Sequence, residues 1–193
     1  MAELARTIHS VTFGEDDSFP DAKDRVRDYI SGGIALENEA LAEKCVKLID
    51  ALPQTGTLIH GDFHTGNVFL QKGEPLLIDM DRVAKGHPII EISDLFYFYV
   101  VLGEDDPSVV EKFMGFSYQT ARQFFRAFLM SYLETADESR LRDVTEKASV
   151  IAYSRLIRKL RKHRDVSEAD KKNIDRCISI ISGLTEKLDT LAF

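Results

Sequence analysis

"LIHGDFHTGNVFLQKGEPLLIDMDR", residues 58–82, sets two His, three Asp and one Asn between apolar runs. The hydrophobic period changes inside it. Thr57-Leu58-Ile59 reads as a short strand, Val68-Phe69-Leu70 as a second and Pro75 to Ile78 as a third. Gln71-Lys72-Gly73-Glu74 supplies the turn between the last two. The polar cluster therefore sits on loops anchored by short strands, where a rigid scaffold displays functional groups.

Outward from this insert the pattern is helical. Ala2 to Ser10 reads as a short helix, and Ser18-Phe19-Pro20-Asp21 as the start of another that Ser31-Gly32-Gly33 stops. Leu41, Cys45, Leu48 and Leu52 recur at three-to-four spacing and predict a helix from Leu36 to Ala51. After Gly86-His87-Pro88, helices are predicted over 90–102, 108–114, 117–134, 139–163 and 168–190. Ser167 and Asp170 have capping-box spacing for the last, and Ile174, Ile178, Ile181, Leu184, Leu188 and Leu191 give it one apolar stripe. The fold class expected is α+β, mostly helical, with a small β-hairpin insert.

Composition sets the outer bounds. A chain of 193 residues with 44% hydrophobic and 30% charged side chains is long enough to bury a sizeable core as one domain. A net charge of −7 speaks against a nucleic-acid partner, which calls for a basic surplus. No apolar run has membrane-spanning length and MAELARTIHS lacks a signal pattern, so no membrane partner and a cytoplasmic location are expected. Cys45 and Cys177 fall on apolar helix stripes, as buried thiols do. There is no internal repeat or low-complexity tract.

Asp62 and Asn67 share one loop, and the hairpin brings Asp79 back beside it. A carboxylate facing an amide oxygen suits a hard cation such as Mg²⁺, which takes further ligands from water and phosphate. The remaining carboxylate, Asp62, can accept a proton from an incoming hydroxyl, and His64 can reach a phosphoryl oxygen. Positioning and charge neutralisation of this kind are the main requirements of phosphoryl transfer.

His60-Gly61-Asp62-Phe63-His64-Thr65-Gly66-Asn67, followed by Leu77-Ile78-Asp79-Met80-Asp81, resembles the catalytic loop and metal-binding segment of the aminoglycoside phosphotransferase and choline kinase-like group, relatives of the protein kinases. In kinases the loop is His-Arg-Asp with Asn five residues after the Asp, and the later metal Asp opens Asp-Phe-Gly. The resemblance implies a protein-kinase-like C-terminal lobe that uses ATP as co-substrate and Mg²⁺ as cofactor to phosphorylate a small-molecule hydroxyl acceptor. It implies Asp62 as catalytic base, His64 contacting the γ-phosphate, and Asn67 and Asp79 as metal and nucleotide-phosphate ligands. Asp81 is open between an accessory metal contact and a salt bridge. His60 would orient the loop, and Asp94, in Glu91-Ile92-Ser93-Asp94-Leu95, would brace its backbone. The implied division of 1–193 is 1–57 as leading helices, 58–88 as the catalytic and metal-binding insert, and 89–193 as the helical substrate side.

Other readings compete. Pro75 to Val83 also resembles the strand and Asp-x-Asp of haloacid-dehalogenase-type phosphatases, with Asp79 as nucleophile and Asp81 as acid/base. Arg82 stands where that family has a Gly, and the following residues read as helices only. His60 and His64 have the i, i+4 spacing of a zinc pair on a helix, but Gly61 and Gly66 make a helix there poor. His9 and His87 read as packing or turn residues. The acidic groups at 104–106 and 134–138 can favour a cationic substrate or simply be solvated. The basic run Arg155 to Arg164 can attract phosphate, nucleic acid or an anionic surface, or be a solvated face. Only 59 residues precede His60, without a Gly-rich phosphate loop after a strand. The expectation is that the N-terminal nucleotide lobe is absent: the chain is a fragment, a remnant serving as a non-catalytic interaction module, or one completed by a separate lobe or a homo-oligomer.

Overall fold

A computed structural model describes residues 1–14, 18–162 and 165–193. His163 and Arg164, at the end of the basic run, lie outside the described residues. Helices α1 (Ala2–His9), α2 (Ala22–Ser31) and α3 (Glu39–Asp50) lead into four short strands, β1 (Leu58–Ile59), β2 (Val68–Gln71), β3 (Glu74–Leu77) and β4 (Ala84–Lys85). Helices α4 (Ile89–Tyr99), α5 (Pro107–Met114), α6 (Tyr118–Tyr132), α7 (Glu138–Arg161) and α8 (Glu168–Thr185) follow.

The helix starts obey side-chain capping. Asp21, Asn38, Asp106, Ser117, Asp137 and Ser167 each accept a backbone N–H from the first turn that follows them. This shifts two expected boundaries. Asp21 begins α2, leaving Ser18 and Pro20 outside, and Asn38 begins α3, leaving Ile34–Leu36 as a single 3₁₀ turn. Helix α8 stops at Thr185, short of 190, yet Leu191 beyond it is still fully buried.

All eleven residues of α4 are buried, so it is the axis of the domain. It packs chiefly on α7, with α6 beside it, while α8 lies along the other side of α7. The leading helices belong to the same body: α1 packs on α6, and α2 on both α3 and α7. Cys45 and Cys177 are buried free thiols whose burial pushes each pKa up to about 12.

The strands form two nested antiparallel ribbons. β2 pairs with β3 from Val68–Leu77 to Gln71–Glu74, and outside them β1 pairs with β4 as Leu58–Lys85 and Ile59–Ala84. Nesting forces the loop between β1 and β2 against the segment between β3 and β4. A two-residue strand carries no readable periodicity, and β4 was not expected from the sequence.

Candidate active site

The stretch from His60 to Asn67 is held by buried partners. Glu91, on the first turn of α4, accepts the backbone N–H of His60 at 2.9 Å through Oε2 and that of Gly61 at 2.8 Å through Oε1. Tyr99 at the other end of α4 accepts the N–H of Thr65 at 2.8 Å and donates to its Oγ1 at 3.0 Å. One helix thus grips both ends of the loop. Gly61 has φ +82°, and an added Cβ would run into the Arg82 carbonyl, so the chain can turn here only as glycine.

His60 is fully buried and joins the two segments. Its Nδ1 accepts from the Asp62 N–H at 3.2 Å, which puts the ring proton on Nε2, 3.0 Å from the Ile78 carbonyl. Both ring nitrogens are therefore taken, and a zinc pair with His64 is ruled out. Ile78 in turn donates its N–H to the Asn67 carbonyl at 3.0 Å, and Asp79 is the next residue.

The chemically capable groups are left comparatively free. Asp62 has a side chain 21% exposed whose nearest ionic neighbour is His64 Nε2 at 3.8 Å, beyond hydrogen-bond reach. Asn67 is 8% exposed and donates Nδ2 to the Asp62 carbonyl at 2.9 Å, which leaves Oδ1 as its acceptor. Asp79 is exposed and sits at φ +62°, a left-handed conformation uncommon for a residue with a side chain. Asp81 is exposed on the following turn and makes no ion pair among the described residues.

His64 caps a 3₁₀ turn, Thr65–Asn67, by accepting the Gly66 N–H on Nδ1 at 3.0 Å. Its ring lies against Phe98 and Phe113, with centroids 5.1 and 5.3 Å away. Burial pushes the imidazole below its ordinary pKa, with Asp62 pulling the other way. Near neutral pH the ring is uncharged and presents Nε2–H as a donor, so hydrogen bonding rather than positive charge is what it has to offer.

Asp94 is 1% exposed and sits between Arg155, at 2.6 Å, and Arg25, at 3.4 Å. Burial raises its pKa, with both guanidiniums opposing. Asp94 makes no direct bond to the loop; Arg25, which holds it, also donates to the Gly61 carbonyl at 3.3 Å. Direct bracing of the loop's amides belongs to Glu91, which no local signal in the sequence marks. His9 contacts Glu91 Oε2 at 3.4 Å and Tyr132 at 2.7 Å, so it is more than a packing residue.

The acidic groups have structural employment. Glu104 bonds Tyr153 and Arg176, Asp105 pairs with Arg176, and Asp106 and Asp137 are helix caps. Beyond β4 the described residues form helices and irregular chain only, with no alternating strands of the kind a haloacid-dehalogenase-type phosphatase needs. Among the described residues no three His, Cys, Asp or Glu side chains cluster to hold a metal, and no helix is long and apolar enough to cross a membrane.

The donor set at Asn67 and Asp79 nevertheless fits Mg²⁺. One amide oxygen and one exposed carboxylate are hard oxygen ligands, too few for a closed cage and suited to an ion completed by water and phosphate. No curated protein matches this chain in sequence. A family model described as "APH: Phosphotransferase enzyme family" matches residues 1–128, from α1 through the His60–Asn67 loop to most of α6. The chain belongs to this phosphotransferase family.

Proposed function

We propose that the chain carries the catalytic machinery of a small-molecule kinase that moves the γ-phosphoryl group of ATP to a hydroxyl. Asp62 takes the proton of the acceptor hydroxyl as its oxygen bonds to the γ-phosphorus and the bond to the ADP oxygen breaks. His64 Nε2–H donates a hydrogen bond to the transferring group. Asn67 Oδ1 and Asp79 would hold Mg²⁺, which when bound neutralises phosphate charge. Glu91, His60 and Tyr99 hold the loop still, so that positioning costs nothing at the moment of reaction.

The observation that carries this reading is a contrast on one loop. Every scaffold group of the crossing is hydrogen-bonded, whereas the Asp62 carboxylate, the Asn67 Oδ1 and the Asp79 carboxylate take no hydrogen bond among the described residues. A purely structural loop has no reason to leave those three oxygen-bearing groups unengaged.

Calorimetric titration with ATP, with and without Mg²⁺, tests the proposal together with ATP turnover onto water. The expected result is Mg²⁺-dependent binding that Asp79→Asn abolishes. Asp62→Asn should bind as before but turn over about 10²- to 10⁴-fold more slowly, the usual worth of a general base. A stably folded chain that takes no nucleotide overturns the proposal and leaves the interaction-module reading standing.

A further inference from the structure

A groove of about 610 Å³ between α4, α6 and α7 is lined by none of the candidate site residues. A cavity of about 410 Å³ is different, because Phe98 and Phe113, the two rings that flank His64, form part of its wall. Arg82, three residues after Asp79, forms another part. The cavity therefore shares a partition with the groups assigned to phosphoryl transfer.

Its charge is one-sided. Arg82, Arg155, Arg158, Lys159 and Lys162 line it, and among the described residues no acidic side chain does. Arg155 is paired with Asp94 and Arg158 with Asp28, but Arg82, Lys159 and Lys162 have no ion-pair partner among the described residues. Three cations without an ion-pair partner among the described residues thus face one cavity in a chain whose net charge is −7. Tyr29 also lines the cavity, is 8% exposed, and has a buried hydroxyl without a hydrogen-bond partner among the described residues. Phe98 and Phe113 stack at 5.5 Å, and Arg155 lies over Tyr97 and Phe98 at 4.3 and 4.6 Å, so the remaining wall is apolar and suits a carbon skeleton.

We propose that this cavity seats the acceptor, and that the acceptor is a small hydroxylated anion, a phosphomonoester or a carboxylate, and not a cation. The proposal rests on the phosphotransferase reading above. A polycationic or quaternary-ammonium acceptor would meet like charge here, while the acidic groups that could have welcomed it are tied to Arg176, Tyr153 and helix starts.

Thermal-shift and calorimetric titrations with inorganic phosphate, glycerol 3-phosphate, glycerol and choline provide the test. Phosphate and glycerol 3-phosphate should bind, and glycerol and choline should not. Lys159→Ala/Lys162→Ala, at exposed positions, and Arg82→Ala should each weaken phosphate by about tenfold or more, the worth of one charge-assisted contact. Asp79→Asn should leave phosphate binding unchanged, and saturating Mg²⁺–ATP should not displace it. Equal phosphate binding by parent and lysine variants, or choline binding in preference, overturns the inference. So does displacement by Mg²⁺–ATP with loss in Asp79→Asn, which would make the cavity a seat for the nucleotide's own phosphates. Response to Mg²⁺–ATP without phosphate binding overturns this inference alone. Phosphate binding without any response to Mg²⁺–ATP removes the phosphotransferase reading and the acceptor role with it.

Discussion

Glu91 answers for two backbone donors with two carboxylate oxygens in a site that is 1% exposed. Gln has one oxygen and one NH₂ group, and the NH₂ would be turned toward an N–H. Glu91→Gln should therefore cost about 1.5–3 kcal/mol, the range for hydrogen bonds to a charged group, and the His60 and Gly61 amides should lose hydrogen-exchange protection first. Retained protection at both amides would show that the loop does not depend on this carboxylate. Asp79 behaves in the opposite way, because its left-handed backbone costs about 1–2 kcal/mol for a residue with a side chain and glycine escapes that cost. Part of the gain is lost to the greater freedom of glycine in the unfolded chain. Asp79→Gly is expected to be as stable as the parent or up to about 1 kcal/mol more stable in urea unfolding, while losing Mg²⁺–ATP binding. Stability sacrificed at one carboxylate is what a residue kept for its chemistry produces.

At the scale of elements, the start of α4 joins the loop to the core and carries a pH dependence. His87 Nδ1 accepts the Ile89 N–H at 3.2 Å, which requires an unprotonated nitrogen, and burial lowers its pKa from 6.5 to about 4. The unfolded chain therefore takes up the proton first. Stability is full above pH 6.5 and falls as the pH drops toward 4, by at most about 1.4 kcal/mol per unit. Urea unfolding across that window should show the slope, and His87→Asn, which keeps an acceptor but does not titrate, should flatten it. The His87-Pro88 turn was legible in the sequence, as were the β2–β3 hairpin and the long helices, because turn chemistry and apolar spacing are local signals. Residues whose role depends on distant partners were not legible. Glu91 sits in an otherwise apolar run, and only the fold shows that its side chain meets amides 30 and 31 residues earlier in the chain. The family resemblance implies Asp94 as a brace for the loop, but its ion partners lie on α2 and α7, at separations no motif spans. The basic run looks in sequence like a patch of one helix, whereas Arg82, which lines the same cavity, comes from the segment between β3 and β4.

Across the whole molecule, Arg25 on α2, Asp94 on α4 and Arg155 on α7 form one buried charged chain that also reaches the Gly61 carbonyl. It links a leading helix, the central helix, α7 and the His60–Asn67 loop. The leading helices should therefore not melt on their own, and probes on α1–α3 and on α6–α8 should report one transition. Removing the central anion leaves two guanidiniums facing each other across buried space, and the loss of one partner from a buried ion pair costs about 3–5 kcal/mol. Asp94→Ala is expected to fall in that range in urea unfolding, and its transition should remain single because every element in the chain of charges loses support together. Replacing the closer pair with apolar groups of similar size, Asp94→Leu with Arg155→Met, removes one of the two stranded charges and leaves Arg25 with the Gly61 carbonyl as its partner. The double variant should recover at least half of the loss if Asp94 acts through charge compensation. Recovery of stability without recovery of Mg²⁺–ATP binding would further separate the two tasks of this network, holding the helices together and aiming the loop through Arg25. If Asp94→Ala melts within about 1 kcal/mol of the parent, the ion chain is incidental and the packing of α4 on α7 alone integrates the domain.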